Sequence, residues 1–441
     1  MPTARSTAHD VLDRVFFDDA YSHIALSNAL DNSELSDRDQ GLITELVYGV
    51  LARKRTLDAV LSNFVNRSID GLDNPVLISL RMAAYQLIFL DRIPDHAIVD
   101  EAVELSKTHC GHGAGGFTNG VLRSMLRDEG PFEPWSDVDP DSDPARHLGL
   151  RHSLPDWLAQ VLIDDHGFED AMRLAASFNE RPPLYFRILD EEPASFPREL
   201  HSTGDVPGAF RADTMSPALK DAVDSGELVV QDLGSQLVGH FCTPHLAERV
   251  LDACAGLGGK TLLLADLAEP DTEFVAVDPK RSKLKKLVET ANRTRWADKI
   301  EVFHGDLADL PDHHGRFDLL LVDAPCSGLG VIRRHPETRW RRTPKDVKNR
   351  ARLQKQLLDQ AASRVADGGL LVYSVCSFTA DEGPLRTDAF LDDHTDFQRE
   401  APSADSFVDW SQFTDDRGDL RLTPADHDAD AFYAARLRKH Q

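Results

Sequence analysis

The sequence predicts an α/β protein: a doubly wound sheet preceded by an all-helical domain and a small connecting domain. Three observations carry that expectation. From Leu228 onward, short apolar runs alternate with helical stretches, the pattern of a parallel sheet with crossover helices. The first 130 residues instead place apolar residues at helical spacing. Between Leu251 and Leu267 an apolar strand runs into the glycine-rich turn Gly256-Leu257-Gly258-Gly259-Lys260-Thr261 and on into a helix. Glycines there allow a tight turn and close approach of the backbone to a ligand at the helix N-terminus.

In chain order, helices are expected over Ala8 to Phe17, Asp37 to Val50, Thr56 to Phe64, Pro75 to Leu90 and His96 to His109, with a further one opening in the run Gly115 to Arg123. Residues 1–130 form the first expected domain. The stretch Asp128 to Ala145 holds Gly130, Pro131, Pro134, Pro140 and Pro144 among many acids and has no period, so it reads as a linker. A small α+β connecting domain is expected over 146–226, with two helices between Leu154 and Phe178 and a proline-led strand, Pro182 to Ile188. The last domain, 227–441, carries strands at Arg249 to Ala253, Glu273 to Val277, Ile300 to Phe303, Phe317 to Val322 and Gly369 to Tyr373. A final antiparallel strand is expected around Asp430 to Ala435.

Composition narrows the function classes. No run approaches the roughly 18 apolar residues of a membrane helix, and Met1-Pro2-Thr3-Ala4-Arg5-Ser6 leads into no signal-peptide core. The expectation is a soluble, cytoplasmic monomer without a membrane or metal partner. The five cysteines, Cys110, Cys242, Cys254, Cys326 and Cys376, contain no CxxC pair, so neither a zinc site nor a disulfide framework is supported. The formal net charge of -25 opposes nucleic-acid binding. Asp outweighs Glu and Arg outweighs Lys, as in proteins hydrated in a salt-rich cytoplasm; a plainly acidic enzyme is the alternative. The charge is uneven, however. Arg333, Arg334, Arg339, Arg341, Arg342, Lys345, Lys348, Arg350, Arg352, Lys355 and Arg364 form a basic island, where Arg333, Arg334, Arg341 and Arg342 are the candidates for holding a phosphate backbone.

Candidate site residues cluster at strand ends, the edge where open α/β sheets bind ligands. Cys254, Ala255, Gly256, Leu257, Gly258, Gly259 and Lys260 form the cofactor turn. A phosphate-loop alternative needs glycine five residues before Gly259, where Cys254 stands. Asp278, about twenty residues beyond the glycines, can accept from ribose hydroxyls. Asp306 follows the next strand and can accept from an adenine amino group. Two further strand ends read Asp323-Ala324-Pro325-Cys326-Ser327 and Ser374-Val375-Cys376-Ser377. A hydride-transfer enzyme has no need of such paired edge cysteines. For each cysteine alone the bland alternative is a small buried hydrophobe, the role expected of Cys110, Cys242 and Cys254.

On these motifs, and on Gly330-Val331-Ile332-Arg333-Arg334-His335-Pro336, the chain resembles the RNA (cytosine-5) methyltransferases. Within them it is similar to the bacterial small-subunit ribosomal RNA enzymes with a NusB-like N-terminal domain. Arg81 to Leu87 and the run Phe117-Thr118-Asn119-Gly120-Val121-Leu122-Arg123 carry the NusB-like part. The resemblance implies a Rossmann-like class I methyltransferase sheet and S-adenosyl-L-methionine as cofactor. It implies ribosomal RNA, or an early small-subunit particle, as partner. It also implies that Cys376 attacks C6 of the base, that Cys326 assists product release, and that Lys260 and Asp323 complete the catalytic set, with Asp323 also at the cofactor. Adding a thiolate at C6 makes C5 nucleophilic enough to take a methyl group, and a carboxyl group such as Asp323 can protonate or hydrogen-bond N3 as charge develops. DNA cytosine-5 methyltransferases use the cysteine of Pro-Cys instead, which would point to Cys326. Three positions depart from the family: Gly256-Leu257 for Ala-Pro, Val375 for Thr and Ala431 for Gly. The rival readings are a transfer-RNA cytosine-5 methyltransferase and a non-catalytic RNA-binding assembly or antitermination factor.

Overall fold

The computed structural model describes residues 3–31, 35–128, 130–188, 197–293, 296, 299–403 and 407–441. Part of the expected connecting domain, 189–196, lies outside the described residues, as do Met1 and Pro2. The chain divides into two compact units. One holds Met1–Glu180 with Ile332–Arg342, the other Arg181–Val331 with Thr343–Gln441.

The first unit is helical throughout. Its opening helices are Ala4–Phe17, Ser22–Asp31, Asp37–Ser62, Asn74–Phe89, Asp95–Cys110 and His112–Asp128. Thr3 begins the first with a reciprocal capping box, and the Ser36 hydroxyl accepts from the Asp39 N–H at the start of the third. Two expected helices merge there into one of 26 residues. Ala52-Arg53-Lys54-Arg55 holds no breaker and consists of strong helix formers, so nothing stops the helix between them. The helix Ser22–Asp31 went unforeseen. Asn74–Phe89 is buried on nearly all sides, and its Arg81 is matched by a bidentate pair with Asp58 at 2.6 and 2.8 Å.

Three more helices, Pro144–His152, Asp156–His166 and Phe168–Ser177, belong to this same unit. The compact units thus cut across the expected connecting domain, leaving these helices in one and its strands, with the helix Pro217–Ser225, in the other. The reason is visible on the long third helix: Thr56 donates to the Leu150 carbonyl at 2.7 Å, and the Arg55 N–H donates to the Ser153 hydroxyl at 2.9 Å.

The second unit holds two sheets. Strands β1 (Leu184–Ile188), β2 (His201–Ser202), β3 (Ala209–Ala212) and β4 (Leu228–Val230) form a small antiparallel sheet, ordered β2-β3-β1-β4. The large sheet takes β5 (Arg249–Asp252), β6 (Glu273–Asp278), β7 (Ile300–His304), β8 (Phe317–Asp323), β9 (Val365–Val375), β10 (Phe397–Arg399), β11 (Leu420–Leu422) and β12 (Phe432–Lys439). Its order is β10-β12-β9-β8-β5-β6-β7, with β11 beside β12. The five strands from β5 to β9 pair in parallel, and β12 is antiparallel to β9, the final strand expected from the sequence. Leu319 and Leu321 of β8 enter the core on one face, Leu320 and Val322 the core on the other. Burial on both faces explains why the strand is a continuous apolar run rather than an alternating one. The order reverses at β5, which has β6 on one side and β8 on the other. A doubly wound sheet opens its ligand crevice at such a reversal, beyond the strand C-termini.

Candidate active site

All the functional strand ends lie at that C-terminal edge. β5 delivers the glycine turn. Gly258 caps the helix Gly259–Leu267 at φ +88°, and a Cβ there would stand 2.5 Å from the Leu287 side chain, so only glycine fits. The Gly256 N–H donates to Asp278 Oδ2 at 3.0 Å, and the Lys280 N–H donates to Asp278 Oδ1 at 2.7 Å. Asp278 is nearly buried, yet each carboxylate oxygen retains a second lone pair for a ligand hydroxyl. Leu257 projects 56% exposed from the turn, an apolar side chain left open beside a helix N-terminus. Asp306 is exposed beyond β7. Glycine backbone, helix N-terminus, apolar side chain and two carboxylates in succession fit an adenosyl cofactor. Beneath the turn, burial raises the Asp252 carboxyl to about 6, and the Thr261 hydroxyl donates to it at 2.7 Å. Burial also keeps the Cys254 thiol well above its ordinary range.

The catalytic candidates meet where β8 and β9 end side by side, with Asp323 opposite Ser374 in register. Lys260 Nζ donates to Asp323 Oδ2 at 2.8 Å, and Ser374 Oγ donates to Asp323 Oδ1 at 2.7 Å. Burial pulls the Lys260 ammonium down, but Asp323 and its neighbours outweigh it and hold the group above its usual value. The same ammonium lies 5.0 Å from the Phe432 ring centroid. The Cys326 and Cys376 sulfurs are 3.2 Å apart. The hydrogen bond with Cys376, burial and nearby negative charge push the Cys326 thiol well up. Gly330 packs under this pair: its N–H donates to the Cys376 carbonyl at 3.0 Å and its carbonyl accepts from Ala431 N–H at 3.0 Å. A Cβ there would lie 2.1 Å from the Ala431 oxygen.

Sequence reasoning missed two members of this arrangement. Ser374, fully buried, orients Asp323. Glu382, also fully buried, receives hydrogen bonds from the residues that follow both cysteines. An acid six positions after Cys376 was the only available signal. Among the remaining cysteines, Cys242 is buried as expected, but Cys110 is exposed, because it closes its helix beyond the last packed turn at Leu105 and Ser106.

The basic island divides in two. Its first part lies in the helical unit and is committed to protein carbonyls. Arg333 is 7% exposed and donates to Glu180 O, while Arg341 donates to Val15 O and Ala20 O, each at 2.7 Å. Arg339, fully buried, reaches the carbonyls of Ala52, Ser153 and Phe178 and the Asn179 side chain, and burial lowers it to about 9. Arg333 and Arg341 are therefore structural pins, not the open phosphate-holding cations expected. A buried backbone carbonyl needs a donor, and in this loop arginines supply it. Arg334 and Arg342 are half-buried. The second part lies on the helix Pro344–Arg364, where Lys345, Lys348, Arg350 and Arg352 are exposed. Among the described residues no helix is long and apolar enough to cross a membrane.

Comparison with known proteins agrees with this geometry. Residues 240–438 match the family model described as 16S rRNA methyltransferase RsmB/F, and residues 2–127 match the NusB family. The probable ribosomal RNA small subunit methyltransferase B of Bacillus subtilis is 32% identical over 99% of each chain. The ribosomal RNA small subunit methyltransferase B of Escherichia coli O6:K15:H31 is 30% identical over 94% of each. The crystal structure of PH0851 shares the fold, with a TM-score of 0.77 at 22% identity, over 98% of this chain and 97% of that one. With a NusB-family region ahead of its methyltransferase domain and full-length relatives at this identity, the chain belongs to the ribosomal RNA small subunit methyltransferase B family.

Proposed function

We propose that the chain methylates C5 of a cytosine in small-subunit ribosomal RNA through a covalent bond between Cys376 and C6. The observation that carries this is the thiol pair, 3.2 Å apart beside the Lys260–Asp323 ion pair. Cys376 as thiolate adds to C6, and the displaced ring electrons reach C5. S-adenosylmethionine, held by the turn Cys254 to Lys260 with Asp278 and Asp306, supplies the methyl group that C5 takes. Asp323, oriented by Lys260 and Ser374, serves the N3 edge of the ring. Once Cys376 is bonded to carbon, the hydrogen bond that most raises the Cys326 thiol is gone. Cys326 can then ionise and take the C5 proton. The C–H electron pair restores the C5=C6 double bond and expels the Cys376 thiolate. The proton passes to solvent, which closes the balance.

The exposed basic residues Lys345, Lys348, Arg350 and Arg352 are the cations available to the RNA backbone. The relatives' names point to the small-subunit RNA as substrate. Incubating the purified chain with labelled S-adenosylmethionine and either small-subunit ribosomal RNA or transfer RNA tests the proposal. A single methylated cytosine in the ribosomal RNA is expected. Methylation confined to transfer RNA would transfer the assignment to that substrate, and no incorporation into either would remove it.

A further inference from the structure

We propose that Glu382 is a positioning residue that holds the two cysteine loops in register and, through its charge, assigns the two thiols their different roles. The proposal rests on the methyl-transfer reading above. Glu382 lies at the foot of both cysteine loops and is fully buried. Its Oε1 accepts from the Ser327 N–H at 2.7 Å and from Gln354 Nε2 at 3.2 Å. Its Oε2 accepts from the hydroxyls of Ser327 at 2.5 Å, Ser377 at 2.7 Å and Thr379 at 3.3 Å. Ser327 follows Cys326 and Ser377 follows Cys376, so one carboxylate fastens the residue after each thiol. Gln354 extends the tie by donating also to the Pro325 carbonyl at 3.2 Å, and Tyr373 donates to the Glu382 carbonyl at 2.6 Å.

Stability alone does not explain a charge in this place. Burying a carboxylate costs several kcal/mol, and well-packed neutral side chains often serve as well. The hydrogen-bond partners of Glu382 are neutral, so its negative charge remains to act on its surroundings. Two thiols side by side resist joint ionisation, and a fixed negative charge near one of them breaks the tie. Cys326 is raised first by its hydrogen bond with Cys376, then by burial, by the charge of Cys376 and by that of Glu382, while the Gly328 backbone lowers it. Tyr373, buried beside Cys326 and Glu382, is itself held as a phenol, with Arg386 opposing. Lys260 and Asp323 stand on the Cys376 side. Glu382 therefore adds a fixed charge that favours Cys326 as the thiol while Cys376 attacks.

Alkylation of the full-length protein by iodoacetamide across pH, with Cys326 followed by peptide mass spectrometry, tests this without any RNA. Glu382→Gln keeps the shape and an acceptor for the Ser327 N–H, and hydroxyls can turn to accept from its amide. It should move the Cys326 midpoint to lower pH by roughly one unit or more, since at an effective dielectric constant of about 20 one charge is worth that much even about 12 Å away. The pH profile of adduct release on RNA should move the same way. Glu382→Asp keeps the charge and should leave the midpoint in place. An unmoved midpoint in the Gln variant, or equal displacement in both variants, would overturn the proposal. Should the Gln variant fail to fold by circular dichroism, the Asp variant decides: an unmoved midpoint supports it and a lowered one overturns it. Absence of methyl transfer by the native chain would remove the functional reading and leave the thiol titration standing.

Discussion

Two sulfurs 3.2 Å apart are poor company as a pair of thiolates, and the chemistry uses that. In the proposed mechanism one attacks while the other waits as a thiol. Cys376→Ala should therefore abolish both methyl transfer and the covalent RNA adduct. Cys326→Ala should let the adduct form and persist, with turnover down on the order of 10²–10⁴-fold, the usual worth of a positioned acid–base group. Denaturing gels with substrate RNA separate the two outcomes, and adduct surviving only in the Cys376 variant would reverse the assignment. Asp278 offers a second test. Asp278→Ala should weaken S-adenosylmethionine binding by roughly 1.5–3 kcal/mol, the range for hydrogen bonds to a charged group. Because Asp278 also anchors the Gly256 N–H, Asp278→Asn separates the two duties. It keeps an acceptor for one of the two N–H donors, Gly256 or Lys280, and loses the charge, and calorimetry should find its affinity between native and alanine. Unchanged affinity in both variants would take Asp278 out of the site.

Among the elements, the helix Pro344–Arg364 carries the exposed cations proposed above for the RNA backbone. It begins with a capping box at Thr343 and Asp346 and buries Val347, Ala351, Gln354, Leu358, Ala361 and Ala362. That leaves Lys345, Lys348, Arg350 and Arg352 outward. Charge reversal at Lys345 and Lys348 should weaken RNA binding, leave cofactor affinity unchanged, and reduce the salt slope by about 1 for each phosphate no longer neutralised. Filter binding from moderate to high salt checks this, since repulsion by the acidic remainder is least screened at low salt. The sequence showed the island but not its division. Arg341 and Lys345 look alike in a charge count. Only burial reveals that Arg341 is spent on the carbonyls of Val15 and Ala20.

For the molecule as a whole, acid acts on buried histidines in both units, and in the second unit the raised Asp252 carboxyl opposes them. Burial holds both His152 and His240 down at about 4, with nearby arginines contributing. Each is neutral when folded and protonates near 6.5 when unfolded. Their contribution is present above pH 6.5 and is lost as pH falls towards 4, on the order of 3 kcal/mol each at full protonation. Urea midpoints of the helical unit should fall from pH 7 to pH 4.5. In the second unit the raised Asp252 carboxyl, which gains stability as pH falls through about 6, opposes His240, so His240→Gln should turn that unit's profile upward towards acid. A midpoint of the helical unit independent of pH in this window would contradict the burial of His152.

The sequence by itself determined the five parallel strands and the closing strand of the sheet, the glycine turn, and the strand-end positions of the carboxylates and of Cys326 and Cys376. Each of these is a local signal: an apolar run, a glycine that tolerates positive φ, a cysteine just past a strand. Tertiary structure decided what pairs across distance. It brought Cys326 to Cys376 and Lys260 to Asp323, because β8 and β9 are adjacent and parallel and β5 lies beside β8. It recruited Glu382 and Ser374, ordinary residues in the sequence, by burying them where donors or acceptors needed partners. It also placed Ile332–Arg342 in the helical unit, where Arg339 satisfies carbonyls from residues 52, 153 and 178. Hydrogen-bond satisfaction in a buried loop depends on partners hundreds of residues away, and no local pattern in the chain records them.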